Sequence, residues 1–225
     1  MNVEVLYRPS YSIAHVTLDP DEEIRVEPGA MVAMSPSIQL QTRAQGGLFK
    51  SFKRMFVGES FFMNTYQATG RSGDLWLAPP LPGDIHVLEL SDETFLVQSG
   101  AYVASDMGVE IDAGWGGAKT FFAGEGFLML KASGSGTLIL SSYGAIHPLE
   151  VGAGDTYVVD TGHLVAFSAD MGFNVRRVGG WKSTLFGGEG LVVDLTGPGR
   201  VWMQTRSENA FLSWLIPKLP RPDSD

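Results

Sequence analysis

Residues 161–168 read TGHLVAFS, and this pattern of a glycine followed by small and apolar residues occurs three times in the chain. The other two copies are residues 28–35, PGAMVAMS, and residues 99–105, SGAYVAS. Each copy is followed by a Gly pair that starts 16 or 17 residues after the first glycine, then by a Gly-Glu step and a closing glycine. The closing glycines lie 63 residues apart both times and are Gly73, Gly136 and Gly199. Four landmarks in one order indicate one folding pattern that is written three times.

The residues between these landmarks predict β-strands. Runs such as 94–97 (TFLV) and 156–159 (TYVV) are β-branched or aromatic and are bounded by turn residues. Continuous apolar runs at 127–130 and 191–193 are typical of strands buried on both faces. The 28 Gly and 12 Pro favour many turns.

We therefore predict an all-β fold with three degenerate repeats, plus a short C-terminal helix. The repeats should form a pseudo-threefold, double-stranded β-helix-like sandwich or barrel around a common hydrophobic interior. Together they make a single domain over residues 1–220, and their approximate bounds are 12–84, 85–145 and 146–206.

The C-terminal residues 207–219 have helical spacing. Ser207 or Asn209 can cap the start, and Pro217 ends the helix. Its five apolar residues are too closely placed for a purely exposed helix, so we expect packing on the same chain or on a neighbouring subunit. Residues 221–225 are expected to be a disordered tail.

An insertion in the first repeat is the other helical segment. Residues 48–56 place apolar side chains on one stripe and Lys50, Lys53 and Arg54 on the opposite face. Such a cationic amphipathic turn suits a membrane surface or an acidic partner, whereas the alternative is a helix that caps one end of the β-structure. The predicted contact residues are Phe49, Lys50, Phe52, Lys53, Arg54 and Phe56.

Charge and composition narrow the function classes. The net charge of −9 argues against nucleic-acid binding, because phosphate backbones are repelled. The absence of Cys rules out disulfides, thiolate metal sites and a Cys nucleophile. The first residues do not resemble a signal peptide, and no apolar stretch of about 18 residues occurs, so we expect a cytoplasmic protein.

Three features together resemble the altered-inheritance-of-mitochondria family of bacteria and mitochondria. They are the Val-x-x-Gly-x-x-Val-Ala pattern at 26–33, 97–104 and 159–166, the three Gly-Glu steps, and the MQTR ending at 203–206. The resemblance covers essentially residues 1–220. It implies a fold like that of the trp RNA-binding attenuation protein and no established enzymatic activity. Mitochondrial members are associated with inner-membrane organisation, a role that does not transfer to a chain without a transit peptide.

That fold likeness also suggests RNA binding by base stacking on tryptophans. Stacking generally needs a basic groove beside it, and the acidic charge makes this the weakest hypothesis. The candidate stacking residues are Trp76, Trp115, Trp181 and Trp202.

Three histidines form a candidate metal site. They precede the first glycines of the three copies by 14, 14 and 15 residues, and are His15, His86 and His147. If equivalent positions converge, three neutral imidazoles could hold zinc; otherwise each imidazole is hydrogen-bonded within its own strand. The glutamates of the Gly-Glu steps also recur in all three copies. They could form a ring that binds a cation, or each carboxylate could accept backbone N–H bonds in a tight turn. These residues are Glu59, Glu125 and Glu189.

No catalytic motif emerges from the sequence. The Gly-x-Ser-x-Gly elbow and the Walker Gly-Lys-Ser/Thr pattern do not occur. We therefore expect a non-enzymatic scaffold without a cofactor, which self-associates, with a trimer favoured, and docks to a membrane surface or a protein partner. The alternative is a cupin-like protein that binds a divalent metal or a small ligand through the three histidines.

Overall fold

The computed structural model describes residues 1–41, 63–113, 128–178 and 190–220. Within these ranges the chain forms seventeen β-strands and one α-helix. The fold is thus all-β with a short C-terminal helix, as the strand-rich sequence predicts. The Gly pairs and the Gly-Glu steps lie outside the described residues.

The first copy contains six strands after a short N-terminal strand. Strand β1 pairs with β2, β7 pairs with both β2 and β4, and β6 pairs with both β3 and β5, always antiparallel. The strands are β1 Asn2–Leu6, β2 Ile13–Leu18, β3 Glu23–Val26, β4 Met31–Met34, β5 Ile38–Gln41, β6 Asn64–Ala68 and β7 Gly73–Leu77.

The second copy repeats these pairings with fewer, longer strands. They are β8 Ile85–Gln98, β9 Tyr102–Asp106, β10 Val109–Asp112 and β11 Met129–Ser141. Strand β8 takes the place of β2 and β3, and β11 takes the place of β6 and β7. Gly134 and Gly136 have φ of 120° and 131° where β11 bulges, so this Gly-x-Gly bends a continuous strand instead of opening a new one.

The third copy returns to six separate strands. Strand β17 pairs with β12 and β14, and β16 pairs with β13 and β15. The strands are β12 Ile146–Val151, β13 Thr156–Asp160, β14 Leu164–Ser168, β15 Gly172–Arg177, β16 Leu191–Thr196 and β17 Gly199–Gln204. Helix α1, Glu208–Leu215, follows.

Sheets run from one copy into the next. Strand β3 pairs with β9, and the second half of β8 pairs with β14. These two pairings join most strands into one large sheet, in the order β12-β17-β14-β8-β11-β9-β3-β6-β5, with β10 on β11. The remaining described strands form a sheet β1-β2-β7-β4 and a sheet β13-β16-β15.

Alternation of apolar side chains buries three hydrophobic clusters. In β2, for example, Ala14, Val16 and Leu18 are buried and alternate with partly exposed residues. The first cluster also takes residues from copy two, and the second takes residues from copy three. The described residues therefore bury three clusters, and each of the first two also contains residues from the copy that follows. The repeat had suggested one common interior instead.

Candidate functional site

The strand register shows that two of the three predicted histidines are equivalent. His86 lies opposite Leu140, and His147 lies opposite Met203. Both partners come four residues after a closing glycine. The two histidines therefore occupy the same place in copies two and three.

His15 is displaced by one position from that place. It lies opposite Trp76, three residues after the closing glycine, and Ala14 lies opposite Leu77, four residues after it. Because side chains alternate along a strand, a shift of one residue turns the imidazole to the other face of the sheet. The spacing between each histidine and the next repeat glycine does not show this offset, because the turns between the strands differ in length.

Each imidazole has its own surroundings. The His15 ring stacks on Trp76 with centroids 4.1 Å apart, and its Nε2 atom lies 2.9 Å from Asp74 Oδ1. His86 packs at 5.8 Å from the Trp202 ring, and burial lowers the pKa of His86 below its ordinary value. His147 is exposed. No group of three His, Asp or Glu side chains able to hold a metal ion occurs in the described part of the chain, so the three imidazoles do not converge.

Two complete sets of predicted site residues lie outside the described ranges, as do Trp115 and Trp181 of the candidate stacking residues. One is the contact set of the first-copy insertion, which consists of Phe49, Lys50, Phe52, Lys53, Arg54 and Phe56. The other is the set of Gly-Glu carboxylates, Glu59, Glu125 and Glu189. Both stay sequence predictions.

The C-terminal segment forms an exposed apolar surface. Helix α1 begins at the predicted cap, where the Ser207 hydroxyl accepts a hydrogen bond from the Ala210 N–H at 3.4 Å. None of its residues is buried. We call the following exposed side chains the C-terminal apolar surface: Phe211, Leu212, Trp214, Ile216 and Leu219.

One edge of this surface touches the β-structure at Tyr143, between β11 and β12. Phe211 meets the Tyr143 ring edge-on at 6.0 Å and stacks on Trp214 at 6.2 Å. A shallow cleft of about 310 Å³ lies between the helix and the β-structure, lined in part by His163 and Arg206. The helix is thus anchored at one edge, while most of its apolar surface faces outward.

Strands β4 and β13, which lie in two different sheets, also expose apolar side chains, and we call them the edge strands. Their exposed side chains are Met31, Val32 and Met34 on β4 and Tyr157 and Val158 on β13. Among the described residues, fourteen large apolar side chains are exposed; five belong to the edge strands and five to the C-terminal apolar surface. Exposed apolar side chains are therefore concentrated on three elements, β4, β13 and the C-terminal segment, as expected of interaction surfaces and not of random scatter.

The sequence did not single out the edge strands. MVAM and TYVV read like the corresponding runs of the other copies, which are buried. The difference is one of position: each of these two strands lacks a partner on one edge, because β4 belongs to the first copy and β13 to the last.

Glu27 is a half-buried acid at the end of β3. Its N–H donates to the Val103 carbonyl oxygen at 2.8 Å, and burial raises the pKa of its carboxyl from 4.5 to about 7. An acid with a raised pKa binds more protons in the folded state than in the unfolded state. The free energy of unfolding should therefore fall as the pH rises from 4.5 to about 7, and stay low above that.

Glu27→Gln should remove this pH dependence, because glutamine carries no charge at any pH. We expect the variant to be more stable than the wild type by roughly 1–2 kcal/mol near pH 8, since water screens part of the carboxylate, and similar near pH 5. Urea unfolding at both pH values measures the difference, with the exposed Glu150→Gln as the control. Equal stability of Glu27→Gln and wild type near pH 8 would contradict the buried-carboxylate interpretation.

No helix in the described residues combines the length and the apolar character that crossing a bilayer requires.

Comparison with known proteins gives three findings. A sequence model of the family described as mitochondrial biogenesis AIM24 matches residues 3–206. The chain is 28% identical over 219 residues to the uncharacterized protein M6_Spy0233 of Streptococcus pyogenes serotype M6, covering 93% of this chain and 88% of that protein. The crystal structure of protein SPYM3_0169 from Streptococcus pyogenes matches with a TM-score of 0.81 and 25% identity, covering 97% of this chain and 99% of that chain. The fold is therefore shared along almost the whole length of both chains.

Proposed function

The chain belongs to the mitochondrial biogenesis AIM24 family, and from that premise we propose that it is a non-enzymatic scaffold protein that docks on membrane surfaces. The observation that carries this proposal is the C-terminal apolar surface. Trp214 and Ile216 are 58% and 60% exposed on a segment that has no buried residue. In this proposal the protein docks on the cytoplasmic side of the membrane.

The chemistry of this surface favours lipid over a protein groove. Trp214 is an interfacial residue by nature, because its ring is apolar and its N–H is polar. Lys218 lies 5.1 Å from the Trp214 ring, so a cation that can reach phosphate headgroups stands directly beside the apolar side chains. Apolar groups that dip below the headgroups while a lysine stays among them are typical of interfacial helices.

The non-enzymatic part of the proposal rests on the sequence. It contains no Cys, no nucleophile elbow and no phosphate-binding glycine loop. The alternative of a three-histidine ligand site loses its support, because the imidazoles occupy separate places and one of them is on the other face of its sheet.

Vesicle flotation tests the docking surface. Vesicles of phosphatidylcholine mixed equally with phosphatidylglycerol should carry the wild-type chain upward. The triple variant Trp214→Ser, Ile216→Ser, Leu219→Ser should lose about 100-fold in partitioning, because each half-exposed side chain contributes roughly 1 kcal/mol on insertion. A matched control is Tyr11→Ser, Leu40→Ser, Met107→Ser, which removes exposed apolar side chains elsewhere.

Three outcomes bear on the proposal. Flotation of the wild type and the control together with loss in the triple variant supports it. A wild-type chain that never floats, or a triple variant that floats as well as the wild type, refutes docking through this surface. If the wild type binds a protein and no vesicle, and the triple variant loses that protein, the surface is a protein-docking site and the membrane proposal fails.

The basic residues of the first-copy insertion are tested on the same vesicles. Lys50→Glu, Lys53→Glu, Arg54→Glu should weaken flotation on anionic vesicles and leave the weaker binding to pure phosphatidylcholine unchanged, because these residues would act by charge attraction. Unchanged flotation on anionic vesicles would assign docking to the C-terminal apolar surface alone.

A further inference from the structure

Two junctions inside the chain are built in the same way. In the first, Val26 lies opposite Ala104, and Ile24 lies opposite Asp106. In the second, Val97 lies opposite Ala166, and Phe95 lies opposite Ser168, so both junctions have the same register. Each joins the second strand position of one copy to the third strand position of the next.

Apolar side chains at the centre of each junction are buried. The third-position strands β9 and β14 bury Val103 and Val165 completely. In the second-position strands, Val26 is fully buried and Val97 is 1% exposed. The junction is thus the place where each copy completes its neighbour.

Two further strands hold the same positions as the junction strands but have no partner on that edge. One belongs to the first copy and the other to the third. Strand β4 is the third position of copy one, and its Val32, equivalent to Val103 and Val165, is 57% exposed. Strand β13 is the second position of copy three; its Val159, equivalent to Val26 and Val97, is 5% exposed, but the neighbouring Tyr157 and Val158 are 48% and 55% exposed. Among the described strands, β4 pairs only with β7 and β13 pairs only with β16, so each has one open edge.

We propose that the chain assembles head to tail with further copies of itself, by pairing β13 of one subunit with β4 of the next. The register of the internal junctions places Val159 opposite Ala33, Val158 opposite Met34 and Tyr157 opposite Ser35 of the next subunit. The sheets β13-β16-β15 and β1-β2-β7-β4 then become one seven-stranded sheet. This proposal is independent of membrane docking.

The side chains next to the edge strands fit the same pairing. Trp202 of β17 reaches back into the second cluster, and Ile139 of β11 reaches back into the first. Trp76 of β7 holds the same position in copy one but is only half-buried, with His15 stacked on its ring. In the assembly it would close the third cluster of the preceding subunit.

We assign the partner as a second copy, because β13 and β4 hold the two strand positions that pair with each other at the internal junctions. Contacts between two unlike surfaces are heterologous, so they generate a closed ring, or a filament if the rotation does not close. An unpaired edge strand would otherwise invite non-specific association. The trimer favoured from the sequence is one such ring.

Edge-blocking variants test the pairing and its polarity. Val158→Glu blocks β13, and Met34→Glu blocks β4; both replace exposed side chains, so folding should be kept. Light scattering should show an oligomer for the wild type and the 24.3 kDa single chain for each variant. Mixing the two variants should restore one junction and give a heterodimer only. The control Leu40→Glu on β5 should stay oligomeric.

A disulfide trap tests the register. The chain has no Cys, so Met34→Cys combined with Val158→Cys adds the only two thiols. Mild oxidation should produce covalent chains of several subunits, which reduction reverses, whereas either single substitution should not. Arg25→Cys with Ser105→Cys, the equivalent pair of the first internal junction, should cross-link within one chain.

Several results would overturn the proposal. They are a wild type that stays monomeric at all attainable concentrations, and single edge variants that still dimerise, which would mean like-with-like pairing. Failure of the Met34–Val158 pair to cross-link while the Arg25–Ser105 pair does so would refute the register.

Discussion

Trp202→Ala should lower the free energy of unfolding by about 3–5 kcal/mol, the range for removing a large aromatic side chain from a core. Trp202 is 3% exposed, belongs to β17 of copy three and packs in the second cluster. Its ring meets Phe95 of copy two edge-on at 5.4 Å, and the Arg200 guanidinium lies 5.5 Å above it. Deleting the indole therefore opens a cavity between two copies. Urea unfolding measures the loss.

Trp76→Ala is the matched variant, because Trp76 has the same position in copy one but no preceding copy to pack against. We expect a loss of about 1 kcal/mol in the dilute single chain, since the ring is half-buried, and a weaker self-association. Trp202→Phe should cost much less than Trp202→Ala, because the indole Nε1 atom has no hydrogen-bond partner among the described residues. Equal losses for Trp76→Ala and Trp202→Ala would contradict the head-to-tail arrangement.

Asp84→Ala should cost about 3 kcal/mol, because it removes the acceptor of a buried polar cluster. Asp84 is 2% exposed and lies between copies one and two. Its carboxylate accepts hydrogen bonds from Arg8 Nε at 2.9 Å and Nη2 at 2.8 Å, and from the Ser12 hydroxyl at 3.0 Å. Without it, the Ser12 hydroxyl and the Ile85 N–H lose their acceptor. Asp194→Ala, which breaks a surface ion pair with Arg176, should leave the unfolding midpoint nearly unchanged.

The loss from Asp84→Ala should also depend on pH. Burial alone would raise the pKa of Asp84, but the hydrogen bonds from Arg8 and Ser12 outweigh it and hold the pKa below its ordinary value of 3.8. A lowered acid pKa stabilises the fold above 3.8, and this stabilisation is lost as the pH falls through the folded-state pKa. The difference between wild type and Asp84→Ala should therefore shrink in acid. A constant difference down to the acid unfolding of the protein would refute a charged Asp84.

Much of the β-structure was predictable because strand formation follows local residue pattern. The three small-apolar segments became β4, β9 and β14, and the runs at 94–97 and 156–159 lie in β8 and β13. Ser207 caps the C-terminal helix as its position before an apolar run suggests. In these places the residues that decide the local structure are neighbours in sequence.

Relations between the copies were less predictable. His15 matched the other histidines by counting but differs by one residue in the ladder, and a period of two turns that difference into a change of face. Likewise, the sequence of β4 or β13 does not state whether a partner strand covers it. Both properties depend on distant residues, which a local pattern does not contain.

The two proposed surfaces would reinforce each other. A head-to-tail assembly would carry one C-terminal apolar surface per subunit, and several weak contacts on one vesicle multiply by effective concentration. Membrane docking would then depend on oligomer size, so the edge-blocked variants should float less well although their C-terminal apolar surface is intact.

Hydrogen exchange of the β4 amides, followed by mass spectrometry, tests the central claim most directly. The amides of β4 lie on an open edge in the single chain, whereas those of β9 and β14 are paired in it. In concentrated wild-type protein we expect β4 and β13 to exchange as slowly as β9 and β14, and to become fast on dilution or in Val158→Glu. Rapid exchange of β4 at every concentration would contradict the claim that a second copy completes this edge.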